Sequence, residues 1–401
     1  MKYNILILFF IVCLLSAIQA QDGNSGNSAN NAKKYRWPMD INNGYSSTFQ
    51  EFRFTHFHAG MDLRTFQVTG YPVYAISDGC IVRMRMVKTG SGRSLYLKHD
   101  DGNTSVYFHL EKFEKKLQDL VTQIQRSKGV KYFGDFYLER PICYKRGELI
   151  AYAGESGFGF PHLHLEIKSP TQVSLNPFQL LELPSHDRNA PALRGVLLRN
   201  NDSASINGSI GEFYFPFKRT KYNYYVIPKP LVITGSFDLV LNTRDITDSG
   251  RYAAPYAISA AIDNLDYFDL KFDRFTWDDN NQLSFVYDMM NSNPSCFYYN
   301  LFSQEGFSLE NKNKPLQTVI GALAYGEHKL TIKVKDNFGN ESTGELTFYK
   351  VEKPGLQLSS YTIDRNQIRL GIKNLDAGQA DAVTLALKDR EGRTVYSGQF
   401  K

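Results

Sequence analysis

Apolar and polar residues alternate in short runs along most of this chain, and a period of two predicts a mainly β protein. Between Tyr35 and about Leu183 the runs are separated by glycine-containing turns. Tyr71 to Met84 reads as two strands meeting at Asp78-Gly79, a hairpin signal. Ser94–His99 and Thr104–Leu110 predict a second hairpin, turning at Asp101-Gly102. One helix interrupts the pattern: Phe113, Leu117, Leu120, Val121 and Ile124 fall at helical spacing, with Glu114, Lys115, Lys116, Gln118 and Asp119 opposite. It is expected to pack on a sheet edge. Beyond Pro191 the β pattern continues. Leu330 to Val334 alternates, Asp336 to Asn340 turns, and Leu346 to Tyr349 resumes, like the closing hairpin of an immunoglobulin-like β-sandwich spanning about 192–352. Pro354-Gly355 breaks the chain, and 356–401 is expected to form a further β unit.

The first residues change this picture. Lys2, the apolar run Ile5 to Leu15 and the small-residue exit Ser16 to Ala20 predict a signal peptide over 1–20, and therefore export to a periplasm, cell envelope or exterior. Cys13 lies within the apolar run, and Phe10-Ile11-Val12 before it lacks the small residues of a lipid-attachment site. Residues 21–36 begin QDGNSGNSANNAKK, too poor in apolar side chains to offset ordering entropy by burial, and are expected to be a flexible leader. A membrane span needs about 20 apolar residues, and no stretch supplies them. Beyond the signal stand Cys80, Cys143 and Cys296, enough for one bridge but not for a disulfide-built scaffold. The net charge of +5 is dispersed without a basic block, which excludes a nucleic-acid reading and allows only mild attraction to an anionic wall.

Five of the eight histidines fall in three short segments before residue 165. In Pro161-His-Leu-His-Leu-Glu-Ile, strand alternation puts His162, His164 and Glu166 on one face and Leu163, Leu165 and Ile167 on the other. In Thr55-His-Phe-His-Ala-Gly-Met-Asp, an extended strand would put His58, Gly60 and Asp62 on one face, with His56 at the strand end. Two such segments offer nitrogen and oxygen ligands for zinc, and three protein ligands leave one position for water, as in catalytic sites. Ligands on two neighbouring strands would need nothing from the C-terminal half. Ser105 to Leu110 adds His109. With three ligands assigned, His109 and one of His162 and His164 are spare, and spare histidines beside a metal-activated water are acid–base candidates.

Residues 54–178 resemble the lysostaphin/LytM-type zinc endopeptidases. The resemblance rests on an ordered set: His58 to Asp62 (H-x-x-x-D), Gly70 to Ile81 (G-x-P-V-x-A-x-x-D-G-x-V, with Ile81 in the last place), Tyr107 to Leu110 (Y-x-H-L), Lys145 to Gly154 (K-x-G-x-x-I-x-x-x-G) and Pro161 to Glu166 (P-H-L-H-x-E). It implies an antiparallel β-sheet peptidase domain of the duplicated hybrid motif type over about 37–185, with a groove across the sheet. It implies Zn2+ on His58, Asp62 and His164, His162 as general base, and His109 stabilising the charged tetrahedral intermediate. The implied substrates are the cross-linking or stem peptides of bacterial peptidoglycan. Wall or protein binding would fall to the C-terminal β region.

Two departures stand out. The helix-bearing insertion from about 113 to 140 exceeds the family's minimal loop, and Gly154 to Pro161 places Phe158 and Phe160 where the family has small residues. Arg64 alternates onto the ligand face, available to a substrate carboxylate or to solvent. The rival reading is a catalytically silent wall-binding regulator of other hydrolases. Against it, a chain with no metal chemistry has no reason to keep His58, Asp62, His109, His162 and His164 together.

Overall fold

Fully buried apolar residues at every second position drive the main sheet: Met61 and Leu63, Leu95 and Leu97, Leu163, Leu165 and Ile167 all face inward. A computed structural model describes residues 35–400 apart from 43, 185–186, 201–203, 248–249, 305, 308, 310–313, 353–355, 365–366, 375–382 and 389–393, with backbone alone from 356 onward. The signal and nearly all of the leader lie outside the described residues. The leader's expected end at 36 is too late. Tyr35 is buried, bridges Leu181 and donates to Asp101, and the Arg36 N–H bonds Ile76, so both belong to the fold.

In chain order the elements of the first region are β1 (Tyr45–Ser47), β2 (Phe52–Arg53), β3 (His56–Phe57), β4 (Met61–Arg64) and β5 (Pro72–Tyr74). There follow β6 (Gly79–Met86), β7 (Arg93–His99), β8 (Thr104–Phe108) and β9 (Leu110–Phe113). Helix α1 (Lys115–Lys128), β10 (Gly134–Tyr144), β11 (Leu149–Ala153), β12 (His162–Lys168) and β13 (Ser174–Leu175) complete it. The main sheet runs β1-β4-β12-β8-β7-β6-β10, and β5-β11-β9 form a smaller sheet. Glu114 caps α1 by accepting from Lys116 and Leu117, Gly129 ends it in a left-handed turn, and Leu117, Val121 and Ile124 are its buried face.

The hairpin at Asp101-Gly102 forms as expected, β7 against β8. The one at Asp78-Gly79 does not: β5 pairs with β11, while β6 pairs with β7 and β10. Asp78 instead accepts from Lys145 and from the Arg146 backbone, tying the two sheets together. Gly79 is required by a close approach, since a Cβ there would meet the Lys98 carbonyl oxygen at 2.5 Å. Cys80 and Cys143 face each other on β6 and β10 and are bonded, leaving Cys296 free.

The C-terminal region is β-rich as expected, with two sheets around an apolar core. Strands Gly326–Lys335 and Glu341–Lys350 form the anticipated hairpin, its turn fixed by Asp336 accepting from the Phe338 and Asn340 N–H groups. An immunoglobulin-like arrangement is not established. Strands Tyr224–Val226 and Leu231–Thr234 both pair parallel to Glu341–Lys350. Residues beyond 355 form two hairpins, Leu356–Asp364 with Gln367–Asn374 and Val383–Lys388 with Thr394–Phe400.

The two regions are not independent. β13 pairs with the C-terminal strand Arg274–Phe275, so the main sheet continues across the boundary near 185. Phe49, Phe52 and Phe57 are fully buried in the C-terminal region's core, and the described residues form one compact unit.

Candidate metal centre

The face of β12 that carries His162, His164 and Glu166 lies between β4 and β8. In register, His164 sits opposite Asp62 on β4 and Phe108 on β8. His58 arrives differently from the sequence expectation. The chain does not run extended from His58 to Asp62: β3 ends at Phe57, and β4 begins at Met61. Gly60 lies in the break, where a Cβ would meet the Leu165 carbonyl oxygen at 2.2 Å, so only glycine lets this segment cross β12.

His58, Asp62 and His164 converge. His58 Nε2 lies 3.1 Å from Asp62 Oδ1 and 3.0 Å from His164 Nδ1, and His164 Nδ1 lies 2.9 Å from Asp62 Oδ1. A tetrahedral ion with bonds of about 2.0–2.1 Å sets its ligand atoms roughly 3.3 Å apart, so three edges of the right length are already in place. Two nitrogens and a carboxylate oxygen are a donor set that zinc accepts.

Outer partners fix which nitrogens face this point. His58 Nδ1 lies 2.8 Å from the Thr48 carbonyl oxygen, which only accepts, so Nδ1 carries the proton and Nε2 is the atom left to bind a metal. His164 Nε2 lies 3.2 Å from Glu166 Oε1, leaving Nδ1 inward, and Phe108 stacks on this ring at 5.1 Å. Glu166 is in turn paired with Lys168 at 3.0 Å. Alternation had placed Glu166 on this face. Thr48 carried no sequence signal, because it acts through its backbone carbonyl.

Burial pushes His58 down to about 4, against the pull of Asp62, so it is neutral as a ligand must be. Burial also opposes charging His164, but Asp62 and Glu166 together outweigh it and raise this ring to about 9, so it must release a proton to take a metal. Burial likewise works against the Asp62 anion, yet the hydrogen bond from His164 and the charge of that ring hold its carboxyl well below the usual range. Arg53 lies 3.6 Å from the other Asp62 oxygen.

The spare histidines lie alongside. His162 Nε2 is 3.7 Å from Asp62 Oδ1, and the His109 ring is 4.5 Å from the His162 ring. His109 is not within a strand. It turns the chain from β8 into β9 with a left-handed backbone, φ 61°, which is uncommon for a side-chain-bearing residue. Both rings are oriented by the Gly154–Phe160 loop: His109 Nδ1 is 3.0 Å from the Ser156 carbonyl, and His162 Nδ1 is 2.8 Å from the Phe160 carbonyl. Each neutral ring therefore holds its proton on Nδ1 and presents the Nε2 lone pair. Burial, then His162 and His164, pushes His109 down to about 4.

His56 is not in the cluster; it packs on Trp277 at 5.8 Å. Arg64 lies over Phe66 at 5.4 Å. Phe158 and Phe160 are exposed, and Phe158 stands 5.5 Å from His109 and 5.3 Å from His162.

Residues 56–126 match peptidase family M23. The M23 segment contains His58, Asp62 and His109 and ends before His162 and His164. The chain is 31% identical over 153 residues to the glycyl-glycine endopeptidase ALE-1 of Staphylococcus capitis, covering 37% of this chain and 32% of that protein. It thus spans about a third of the length of that curated relative. Among solved structures it is similar to the catalytic domain of lysostaphin from Staphylococcus simulans, with 24% identity over 33% of this chain and 86% of that one, and a TM-score of 0.24. A zinc-containing peptidase from Vibrio cholerae has 25% identity over 35% of this chain and 38% of that one, with a TM-score of 0.27.

Proposed function

We propose that this protein is an exported zinc endopeptidase that hydrolyses the cross-linking or stem peptides of bacterial peptidoglycan. The observation that carries this reading is the convergence of His58, Asp62 and His164 at ligand-to-ligand spacing, with two further histidines beside them. The M23 match and the glycyl-glycine endopeptidase relative support the substrate class. The Cys80–Cys143 bridge supports an oxidising compartment outside the cytoplasm. Among the described residues no helix is long and apolar enough to cross a membrane.

Bound zinc supplies Lewis-acid polarisation of the scissile carbonyl and brings the pKa of a water near neutrality. His162, with its Nε2 lone pair turned toward the ligands, takes the water's proton and returns it to the leaving amine. His109 starts neutral. It stabilises the negative oxygen of the intermediate only once its own Nε2 carries a second proton, drawn from solvent, because the proton held by His162 goes to the leaving amine. Glu166 and the Thr48 carbonyl hold the ligand rings in place. Phe158 and Phe160 offer an apolar rim to a peptide.

The test is digestion of purified peptidoglycan of several wall chemotypes, with fragments identified by mass. New amino termini should be released, lost with a chelator and restored by zinc. A zinc-loaded protein that releases none from any chemotype overturns the proposal.

A further inference from the structure

The main ligand segment is built into the part of the chain with no proposed chemistry. Thr48, Phe49 and Gln50 each hold a different point on the C-terminal region. The Thr48 hydroxyl donates to the Ala254 carbonyl and accepts from the Ala254 N–H, both at 3.1 Å. Phe49 is buried against Phe275, ring centres 5.3 Å apart. The Gln50 carbonyl accepts from the buried Tyr287 hydroxyl at 3.0 Å.

Two of these residues, Thr48 and Gln50, also hold His58. The Thr48 carbonyl takes the Nδ1 proton and so sets the tautomer. The Gln50 N–H donates to the His58 carbonyl at 2.8 Å. Gln50 has a left-handed backbone, φ 57°, a state that persists in a non-glycine residue only where its surroundings over-determine it. Bonds on both its N–H and its carbonyl do so. Phe57, the residue before His58, is held from the same side: its N–H donates to Asn280 at 2.7 Å, and its ring packs on Phe275 and Tyr287.

We propose that the C-terminal β region is an outer shell of the metal centre, with Tyr287 and the Ala254 backbone positioning His58 through Thr48 and Gln50. This corrects the expectation that the first region forms the site unaided, and it rests on His58 being a metal ligand. Tyr287 and Thr48 are positioning residues. Neither side chain belongs to the His58, Asp62 and His164 cluster.

The test uses the full chain with Zn2+ alone, its affinity measured by competition with a chromophoric chelator, and Co2+ absorption reporting ligand geometry. Thr48→Val keeps the shape but removes both hydroxyl bonds. Tyr287→Phe keeps the ring and removes the bond to Gln50. Each should weaken zinc about 10- to 100-fold, the range for lost outer-shell partners, and shift the cobalt spectrum. Thr48→Ser should restore both.

Thr243→Val is the control for plain loss of stability, because Thr243 is equally buried in the C-terminal region and its hydroxyl donates to Ala192 instead. It should lower the melting temperature and leave zinc affinity within about twofold, well short of the outer-shell effect. If Thr48→Val does not fold, Tyr287→Phe decides alone. Wild-type affinity in the folded variants overturns the proposal, as does a loss in Thr243→Val equal to theirs. His58→Ala separates the two claims: unchanged zinc affinity there overturns the ligand assignment, whereas loss there with no loss in Tyr287→Phe overturns only the positioning role.

Discussion

Replacing Phe158 and Phe160 with alanine separates a role in substrate selection from a role in packing. The two rings are 63% and 70% exposed, so about a third of each is covered. Full burial of a phenylalanine contributes about 1.5–3 kcal/mol, so a third of that is about 0.5–1 kcal/mol per ring and about 1–2 kcal/mol for the pair. Two core phenylalanines would cost about 3–5 kcal/mol each. The double variant should therefore melt only slightly below wild type and keep its zinc. Phe158 shields His109, whose lowered pKa of about 4 is caused chiefly by burial. Opening that side to water should let His109 titrate nearer its ordinary value of 6.5, read from its ring resonances in the zinc-loaded protein. The released muropeptides should change in ratio on the same peptidoglycan. A loss of stability on the core scale refutes the packing argument. An unchanged product ratio with an unchanged His109 titration refutes the role in the groove.

Asp62→Ala removes the oxygen that lies within 3.1 Å of both imidazole ligand atoms, so zinc binding should fall sharply; full stoichiometry and affinity by metal analysis would mean the wrong carboxylate was assigned. His109→Ala and His162→Ala should keep zinc and lose on the order of a hundred- to ten-thousand-fold in turnover; near-normal rates in both would leave the reaction without its proton carrier. Glu51 gives a pH dependence. Burial raises its carboxyl from 4.5 to about 7, against Arg53, so between these values the unfolded chain loses its proton while the folded one keeps it, and stability falls as pH rises. At about 1.4 kcal/mol per unit, the fully buried group costs on the order of 3 kcal/mol above pH 7. Denaturant melts of the metal-free protein at pH 5 and pH 8 should show that loss in wild type and much less in Glu51→Gln, and equal losses would contradict it.

The candidate residues were legible in the sequence because strand alternation and short-range spacing are local, while the choice of three proposed ligands among them came from the family resemblance. His162, His164 and Glu166 share a face wherever the strand goes, and the Asp101-Gly102 turn names its own two strands. The Asp78-Gly79 turn misled because alternation marks a strand without naming its partner, and here β5 pairs with the distant β11 while β6 pairs with β7 and β10. Phe49, Phe52 and Phe57 read as buried, but apolarity does not say against what. The bent approach of His58 and the left-handed turns at His109 and Gln50 were illegible for a related reason. Each is forced by distant contacts rather than by its own residue type.

The bonds that hold the Thr48–Gln50 segment join residues 206 and 237 positions apart. Contacts of that span are costly to close and form late in folding. A nascent chain grown through Lys168 carries all five histidine and aspartate groups of the centre but lacks the surface that holds His58. At about 5–20 residues per second, the stretch from Gln50 to Tyr287 takes on the order of 10–50 s to synthesise. If Tyr287 positions His58 as proposed, full zinc affinity is reached only after Tyr287 has been made, and a chain interrupted before that point binds the metal about 10- to 100-fold more weakly.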